Sequence, residues 1–414
     1  MSDSARASMV LIGLVLIFLF LFSTPSGGAV FPENRTEWLE RFRIVPKETR
    51  RPKLVTVPEL SLPVAKEKPE TPLPSAPVVR GVYLTSWKAG NARFVDELLQ
   101  FVETAGINAV VVDVKDDSGR VSFVSEAGGE ASLAKFDPRE LLERFRAKGI
   151  YPIARIVVFK DPFLAKYSPE LAVRHSRGGL WQDRKGLYWV DPYNTRVWDY
   201  NIAIAKEAAK LGFAEIQFDY VRFTSDGPVS ECRYPSQDGR TKTEVICGFL
   251  RQAGRELRPL GVKISADVFG LTCSVRDDLG IGQQLEKIAA EVDVICPMVY
   301  PSHFYAGQYR IADPDRAPYQ TVRRSLEDAK RRLEASNFST VIRPWLQDFS
   351  LRSRYGRGRF KHKSVQSEMR DWINGFFGIL PMTTGSISIM TGKKDGTGQS
   401  VFLVFRKNCL YFCE

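Results

Sequence analysis

Residues 213–223 read FAEIQFDYVRF. Side chains alternate faces along a strand, so Glu215, Gln217 and Asp219 share one side and Ile216, Phe218 and Tyr220 the other. A strand with a wholly apolar face and a wholly acidic or amide face belongs between a layer of helices and an enclosed polar interior. The helical pattern of residues 195–211 comes just before it and that of residues 242–257 just after it. This is the repeat of a parallel βα protein.

The same reading extends in both directions. Strand patterns recur at residues 81–86 (GVYLTS), 107–115 (INAVVVDVK), 150–159 (IYPIARIVVF), 261–270 (GVKISADVFG), 292–301 (VDVICPMVYP) and 339–349 (STVIRPWLQDF). Helical patterns lie between them at 94–105, 138–147, 281–291 and 325–335. Seven strands alternating with helices at this spacing predict an α/β fold, a (β/α)8 TIM barrel. Four segments are expected: residues 1–29 an export signal, 30–78 a linker, 79–377 the barrel, and 378–414 an atypical tail.

Each strand ends in polar residues. Asp219 should stand at the C-terminal mouth of the barrel. Ser265 and Asp267 share a face in the next strand, Asp113 and Lys115 in the second, and Arg343, Trp345 and Gln347 in the seventh, with Asp348 following. Arg155 lies among apolar residues in the third. Buried charges are costly unless paired, and barrel active sites sit at this mouth. The set therefore reads as a site, or else as a buried ion-pair network, for which Asp113 with Arg155 is the strongest candidate. Glycosidases use two carboxyl groups, one acid and one base or nucleophile. Asp219 and Asp267 end consecutive strands and are the catalytic candidates, with Arg222 placed to keep one of them ionised. Tyr83, Trp87, Trp181, Trp189, Tyr193, Tyr300 and Trp345 lie near strand ends, where aromatic rings stack on sugars. The stretch WQDRKGLYWVDPYN (residues 181–194) reads as a functional loop, in which Asp191 and Asn194 are also placed to cap the following helix.

Composition narrows the partners. The chain of 414 residues is 44% hydrophobic and 26% charged, with a net charge of +11, which favours anionic polymers or membrane surfaces. Its basic residues are scattered rather than interleaved with aromatics, which argues against nucleic acid. With three histidines and no CxxC pair, zinc is not expected, and no cofactor is called for. Magnesium or calcium on Asp113, Asp116 and Asp117 stays open as an alternative. Cys232 and Cys247 suit either a disulfide or buried thiols. Arg6, the apolar run 9–22 and the small residues 23–29 read as a signal peptide or an uncleaved anchor. The Pro-, Lys- and Glu-rich stretch after it reads as an extended linker. A secreted or membrane-anchored monomer is expected, touching the membrane only through its N-terminal segment.

The segments RGVYLTSW, INAVVVDVKDDSG, YPIARIVVFKDP, YWVDPYN, EIQFDYVRF, ISADVFG, VDVICPMVYPSHF and IRPWLQDF together resemble a family of glycosyl-hydrolase-like barrel domains of exported bacterial proteins, long catalogued as a domain of unknown function. The resemblance implies a TIM barrel acting on a polysaccharide or cell-wall glycan. It implies Asp219 as nucleophile or base and Asp267 as acid. Tyr83, Asp113, Asp116, Arg155, Trp189, Asp191, Arg222, Tyr300, His303, Trp345 and Asp348 would bind substrate. Thr224 stands where the family has Pro. A glycan-binding barrel without catalysis is the alternative reading.

The resemblance stops after Phe377. The family's last strand ends in an aromatic, Asn-rich pattern; here INGFF (residues 373–377) begins it and GILPMTTGSISIMTG replaces the rest. Codons compatible with these residues, read one nucleotide earlier, give Trp-Asn-Pro and then the family's pattern. The tail from Gly378 thus reads as out of frame, with the eighth βα unit disrupted. Resequencing the gene is expected to show a one-nucleotide insertion or deletion near the Phe377 codon; a sequence in which no single-nucleotide shift restores Trp-Asn-Pro contradicts this.

Overall fold

The computed structural model describes residues 79–105, 107–347, 351 and 402–403. The chain divides into units 1–58 and 59–414, and all described residues belong to the second. The expected signal segment, the linker, Asp348 and nearly all of the tail lie outside the described residues. Among the described residues no helix is long and apolar enough to cross a membrane.

The parallel sheet runs β1 (Arg80–Leu84), β2 (Ala109–Lys115), β3 (Tyr151–Val157), β4 (Glu215–Asp219), β5 (Lys263–Phe269) and β6 (Val294–Val299), each paired with the next. β7 (Val341–Ile342) and β8 (Trp345–Leu346) are two halves of one further strand, both parallel to β6. They are separated by Arg343 and Pro344; proline lacks an N–H for the ladder. The curled sheet is that of a (β/α)8 barrel. β9 (Phe402–Leu403) pairs in parallel with both β8 and β1. Among the described residues the eighth position is therefore held by two residues of the tail, against five to seven in β1 to β6. Residues 373–377, where the sequence pattern places the start of that strand, lie outside the described residues.

Five helices alternate with these strands: α1 (Ala92–Ala105), α2 (Pro138–Ala147), α4 (Thr195–Leu211), α5 (Lys242–Leu257) and α7 (Pro318–Ala335); the shorter α3 (Pro162–Tyr167) and α6 (Leu285–Ala289) lie among them. Their ends follow local chemistry. The Asn194 side chain accepts from Arg196 N–H at 3.0 Å to start α4, and Thr241 and Glu244 form a reciprocal capping box at α5. α6 is shorter than the pattern at 281–291 suggests. Gly282 has φ +83°, and a Cβ there would lie 2.7 Å from the Lys242 carbonyl oxygen, so the chain cannot be helical until it has passed this contact. α7 begins earlier than expected, at Pro318 in its first turn, a position proline favours.

The two faces of β4 go where alternation predicts. Phe218 meets Phe249 of α5 edge-on, with ring centroids 5.0 Å apart. On the inner face, Glu215 receives both terminal nitrogens of Arg343, one at 2.9 Å, and the Ser265 hydroxyl at 2.5 Å. Arg343 is 1% exposed. This buried pair ties β4 to the break between β7 and β8 across the barrel floor. Above it, Tyr83, Val111, Ile153, Cys296 and Trp345 fill the interior.

Lys115 departs from the expected alternation. The β2–β3 register slips between Asp113 and Lys115, which pairs with Ile156. Lys115 therefore does not share the inner face with Asp113. It turns outward to Asp161, 2.7 Å away with both side chains fully buried, and toward the Tyr200 ring of α4. A bulge adds one residue and reverses the faces beyond it, which period-2 reading cannot register. Cys232 and Cys247 are separate buried thiols, so no disulfide joins them.

Removing one partner of a buried ion pair leaves an uncompensated charge. Glu215→Gln is expected to cost about 3–5 kcal/mol, read as a lowered urea or thermal midpoint. Glu215→Gln combined with Arg343→Met is expected to recover part of that loss. A single variant that melts like the parent contradicts this role.

Candidate active site

The strand ends of β1 to β5 and β8 bring a chain of polar groups together at the mouth. The Tyr83 hydroxyl donates to Asp113. Arg155 donates from Nη1 to the other oxygen of Asp113 at 2.5 Å. Its Nε and Nη2 both donate to Asp219 Oδ2, at 3.0 and 2.5 Å. Asp219 Oδ1 accepts the Tyr220 N–H at 2.6 Å. Tyr220 holds φ +49°, an uncommon conformation for a bulky residue. It sits where the strand must stop and leave Asp219 facing the mouth.

Asp267 stands apart from this clamp. The indole N–H of Trp345 donates to its Oδ1 at 2.7 Å, and no Lys or Arg nitrogen of the described residues lies within ion-pair distance. Burial pushes the Asp267 carboxyl well above the ordinary carboxylate range. The charge of Asp219 pushes the same way, against the opposing pull of Arg155 and Trp345. Burial also raises Asp113, to about 6, although Arg155 and the Tyr83 hydroxyl favour its charged form.

Other candidates occupy different places. Asp116 pairs with Lys135 at 3.0 Å and Asp117 with Lys160 at 2.9 Å. With Asp113 on Arg155, the three carboxylates diverge to three separate cations. Among the described residues no group of three or more His, Cys, Asp or Glu is placed to hold a metal. Asp191 is not brought to the mouth carboxylates. Its oxygens accept the Tyr193 and Ser236 N–H groups at 3.0 and 2.8 Å, fastening two loops together; Asn194 alone caps α4. Arg222 is not the ion-pair partner of Asp219; Arg155 is. Arg222 lies against the rings of Trp189, Tyr220 and Phe269, and Trp189 donates to Asp183 at 3.1 Å. His303 is exposed on the loop after β6, its ring centroid 5.4 Å from that of Tyr300. Of the aromatics named from sequence, Tyr83, Trp181, Trp189, Tyr193 and Trp345 are buried and Tyr300 is half-buried. Trp87 is 73% exposed, with the Lys135 ammonium 4.3 Å from its ring centroid.

Sequence reasoning passed over Lys135, Lys160 and Tyr220. Lys160 directly follows the apolar end of the third strand pattern, a position from which its neighbourhood at the mouth could have been inferred. Lys135 lies in an irregular loop with no such signal.

The chain belongs to the DUF4015 family, described as "Putative glycosyl hydrolase domain", which matches residues 81–374. A hypothetical protein of known structure from Ruminiclostridium thermocellum is 39% identical over 48% of this chain and 98% of its own, with a TM-score of 0.42. The glycoside hydrolase domain of PgaB (BpsB) from Bordetella bronchiseptica is 13% identical over 79% of this chain and 94% of its own, with a TM-score of 0.52. That likeness supports the barrel fold. No curated protein sequence matches the chain.

Asp113 carries a pH signature. Its folded value, about 6, lies above its ordinary 3.8. Between these values the folded protein holds a proton that the unfolded chain has released, so stability falls as pH rises through the window. Thermal melts from pH 4 to 6 are expected to show this slope, and Asp113→Asn is expected to make it shallower, leaving the part that Asp267 contributes. An unchanged slope in the variant contradicts the assignment.

Proposed function

We propose that this barrel hydrolyses glycosidic bonds in a cell-surface or extracellular polysaccharide, with Asp267 as general acid and Asp219 as nucleophile or general base. The observation that carries the reading is the unlike setting of two carboxyl groups on consecutive strands. Asp219 is clamped by two nitrogens of one guanidinium, whereas Asp267 is buried, held by a neutral indole and pushed toward its protonated form. Such a pair divides the work of acid and base.

Protonated Asp267 donates its proton to the glycosidic oxygen as the C–O bond breaks, and the leaving sugar departs as an alcohol. Asp219 either bonds to the anomeric carbon, to be displaced by water later, or takes a proton from the water that attacks it. In both routes water ends divided between the two new chain ends, and Asp267 is reprotonated. Arg155 positions Asp219, with Asp113 and Tyr83 positioning Arg155. Trp87, flat and exposed beside the Lys135–Asp116 pair, suits stacking on a sugar of an extended glycan. The basic N-terminal residue and the apolar run after it support export, as a secreted or anchored protein.

Hydrolysis of a polysaccharide panel tests this. Asp219→Asn is expected to lower the rate by about 10²–10⁴-fold while glycan binding persists. No turnover by the parent protein, with binding intact, contradicts catalysis and supports a glycan-binding barrel. Trp345→Phe removes a hydrogen bond that favours charged Asp267. The alkaline limb of the pH–rate profile, set by loss of the Asp267 proton, is then expected to move to higher pH; movement to lower pH contradicts Asp267 as the acid.

A further inference from the structure

The described barrel contains five buried cationic side chains: Lys115, Arg155, Lys160, Arg222 and Arg343. Four have a carboxylate within ion-pair distance, at Asp161, Asp113 with Asp219, Asp117 and Glu215. Arg222 has none. It is 8% exposed and packs against three aromatic rings, 4.7 Å from the centroid of Phe269, 4.9 Å from Trp189 and 5.0 Å from Tyr220. Among the described residues its hydrogen bonds leave from Nη1, to the Phe223 carbonyl at 3.0 Å and Ser225 Oγ at 3.1 Å. Nε and Nη2 donate to no atom of the described residues.

The position is as telling as the missing partner. Tyr220 follows Asp219 at the end of β4, and Phe269 ends β5 two residues after Asp267. Arg222 therefore lies between the two strand ends that carry the candidate catalytic carboxyls. A buried charge without a partner is costly. Aromatic faces and the more distant charges of Asp219, Asp183 and Asp226 offset part of that cost but accept no hydrogen bond from the open edge. A guanidinium edge matches two oxygens of a carboxylate, sulfate or phosphate.

We propose that Arg222 is an anion-binding subsite residue, and that the sugar bound beside Asp219 carries an acidic group: the carboxylate of a uronic acid or a sulfate or phosphate ester. The inference rests on the mouth being a glycan site, as proposed above, and specifies the class of glycan. The net charge of +11 draws polyanions to the protein in general, but one stacked guanidinium would select for an acid at one sugar.

The test is calorimetric titration of the full chain and its Arg222→Gln and Arg222→Lys variants with hyaluronan hexasaccharide, oligogalacturonate, a sulfated heparin hexasaccharide, chitopentaose and cellopentaose. Hydrolysis of each is followed in parallel. The parent is expected to bind at least one acidic oligosaccharide about 10-fold or more tighter than either neutral one, in keeping with a charge-assisted bidentate contact. Arg222→Gln is expected to erase that preference; Arg222→Lys, which keeps the charge but not the fork, is expected to fall between. Preference for the uronates identifies a carboxylate, and preference for heparin alone identifies an ester.

Equal affinity for acidic and neutral oligosaccharides overturns the proposal. So does a preference that survives in Arg222→Gln, which marks general attraction to a basic surface. If Arg222→Gln loses its fold, Arg222→Lys decides: unchanged preference there rejects the fork. Arg222-dependent binding without hydrolysis leaves this subsite standing and removes the hydrolase reading. Hydrolysis of neutral glycans without acidic preference does the reverse.

Discussion

Arg155 is the constraint around which the mouth of this barrel is organised. One guanidinium on β3 reaches a carboxylate on the strand before it and another on the strand after it, binding Asp113 through Nη1 and Asp219 through Nε and Nη2. A charge of this size inside a barrel is tolerable only when its donors are used. The two aspartates meet that need, and in doing so their own positions are set. The hydroxyl of Tyr83 closes the chain on β1. The apolar residues beneath it can pack without approaching a bare charge, and Asp219 presents a fixed oxygen to the mouth.

The separation of the two carboxyl groups follows from this. Asp219 has a cation in contact; Asp267, one strand further on, has an indole. Burial raises Asp267, which has no cation in contact among the described residues, whereas Asp219 lies against Arg155. The same barrel interior thus gives two residues of one type unlike surroundings. The lower layer, where Glu215 and Arg343 pair, performs no such separation: its charges satisfy each other and hold β4 to the broken seventh strand.

Much of this was legible in the sequence. Period-2 alternation placed Glu215, Gln217, Asp219, Asp267 and Trp345 on inner faces correctly, because these strands have helices on one side and the barrel on the other. The alternation failed at Lys115, where a bulge inserts a residue that no local pattern marks. Partner choice was less legible. Arg222 is near Asp219 in sequence, but the ion pair comes from Arg155, sixty-four residues away and adjacent only once β3 and β4 pair. The partners of Asp191 were not legible either: one oxygen accepts the N–H of Tyr193 in its own loop and the other that of Ser236 in the loop after β4. Aromatic residues near strand ends divide into buried and exposed only through tertiary packing, which leaves Trp87 at the surface and Trp189 beneath Arg222.

The central claim is that Asp267 keeps its proton where an ordinary aspartate has lost it. Carbon-13 NMR of carboxyl-labelled aspartate, with the Asp267 signal assigned by its loss in Asp267→Asn, measures this directly. The account predicts that the Asp267 carboxyl carbon keeps its protonated chemical shift well above the pH at which the exposed aspartates titrate. An Asp267 signal that titrates near pH 4, with the exposed aspartates, would contradict it.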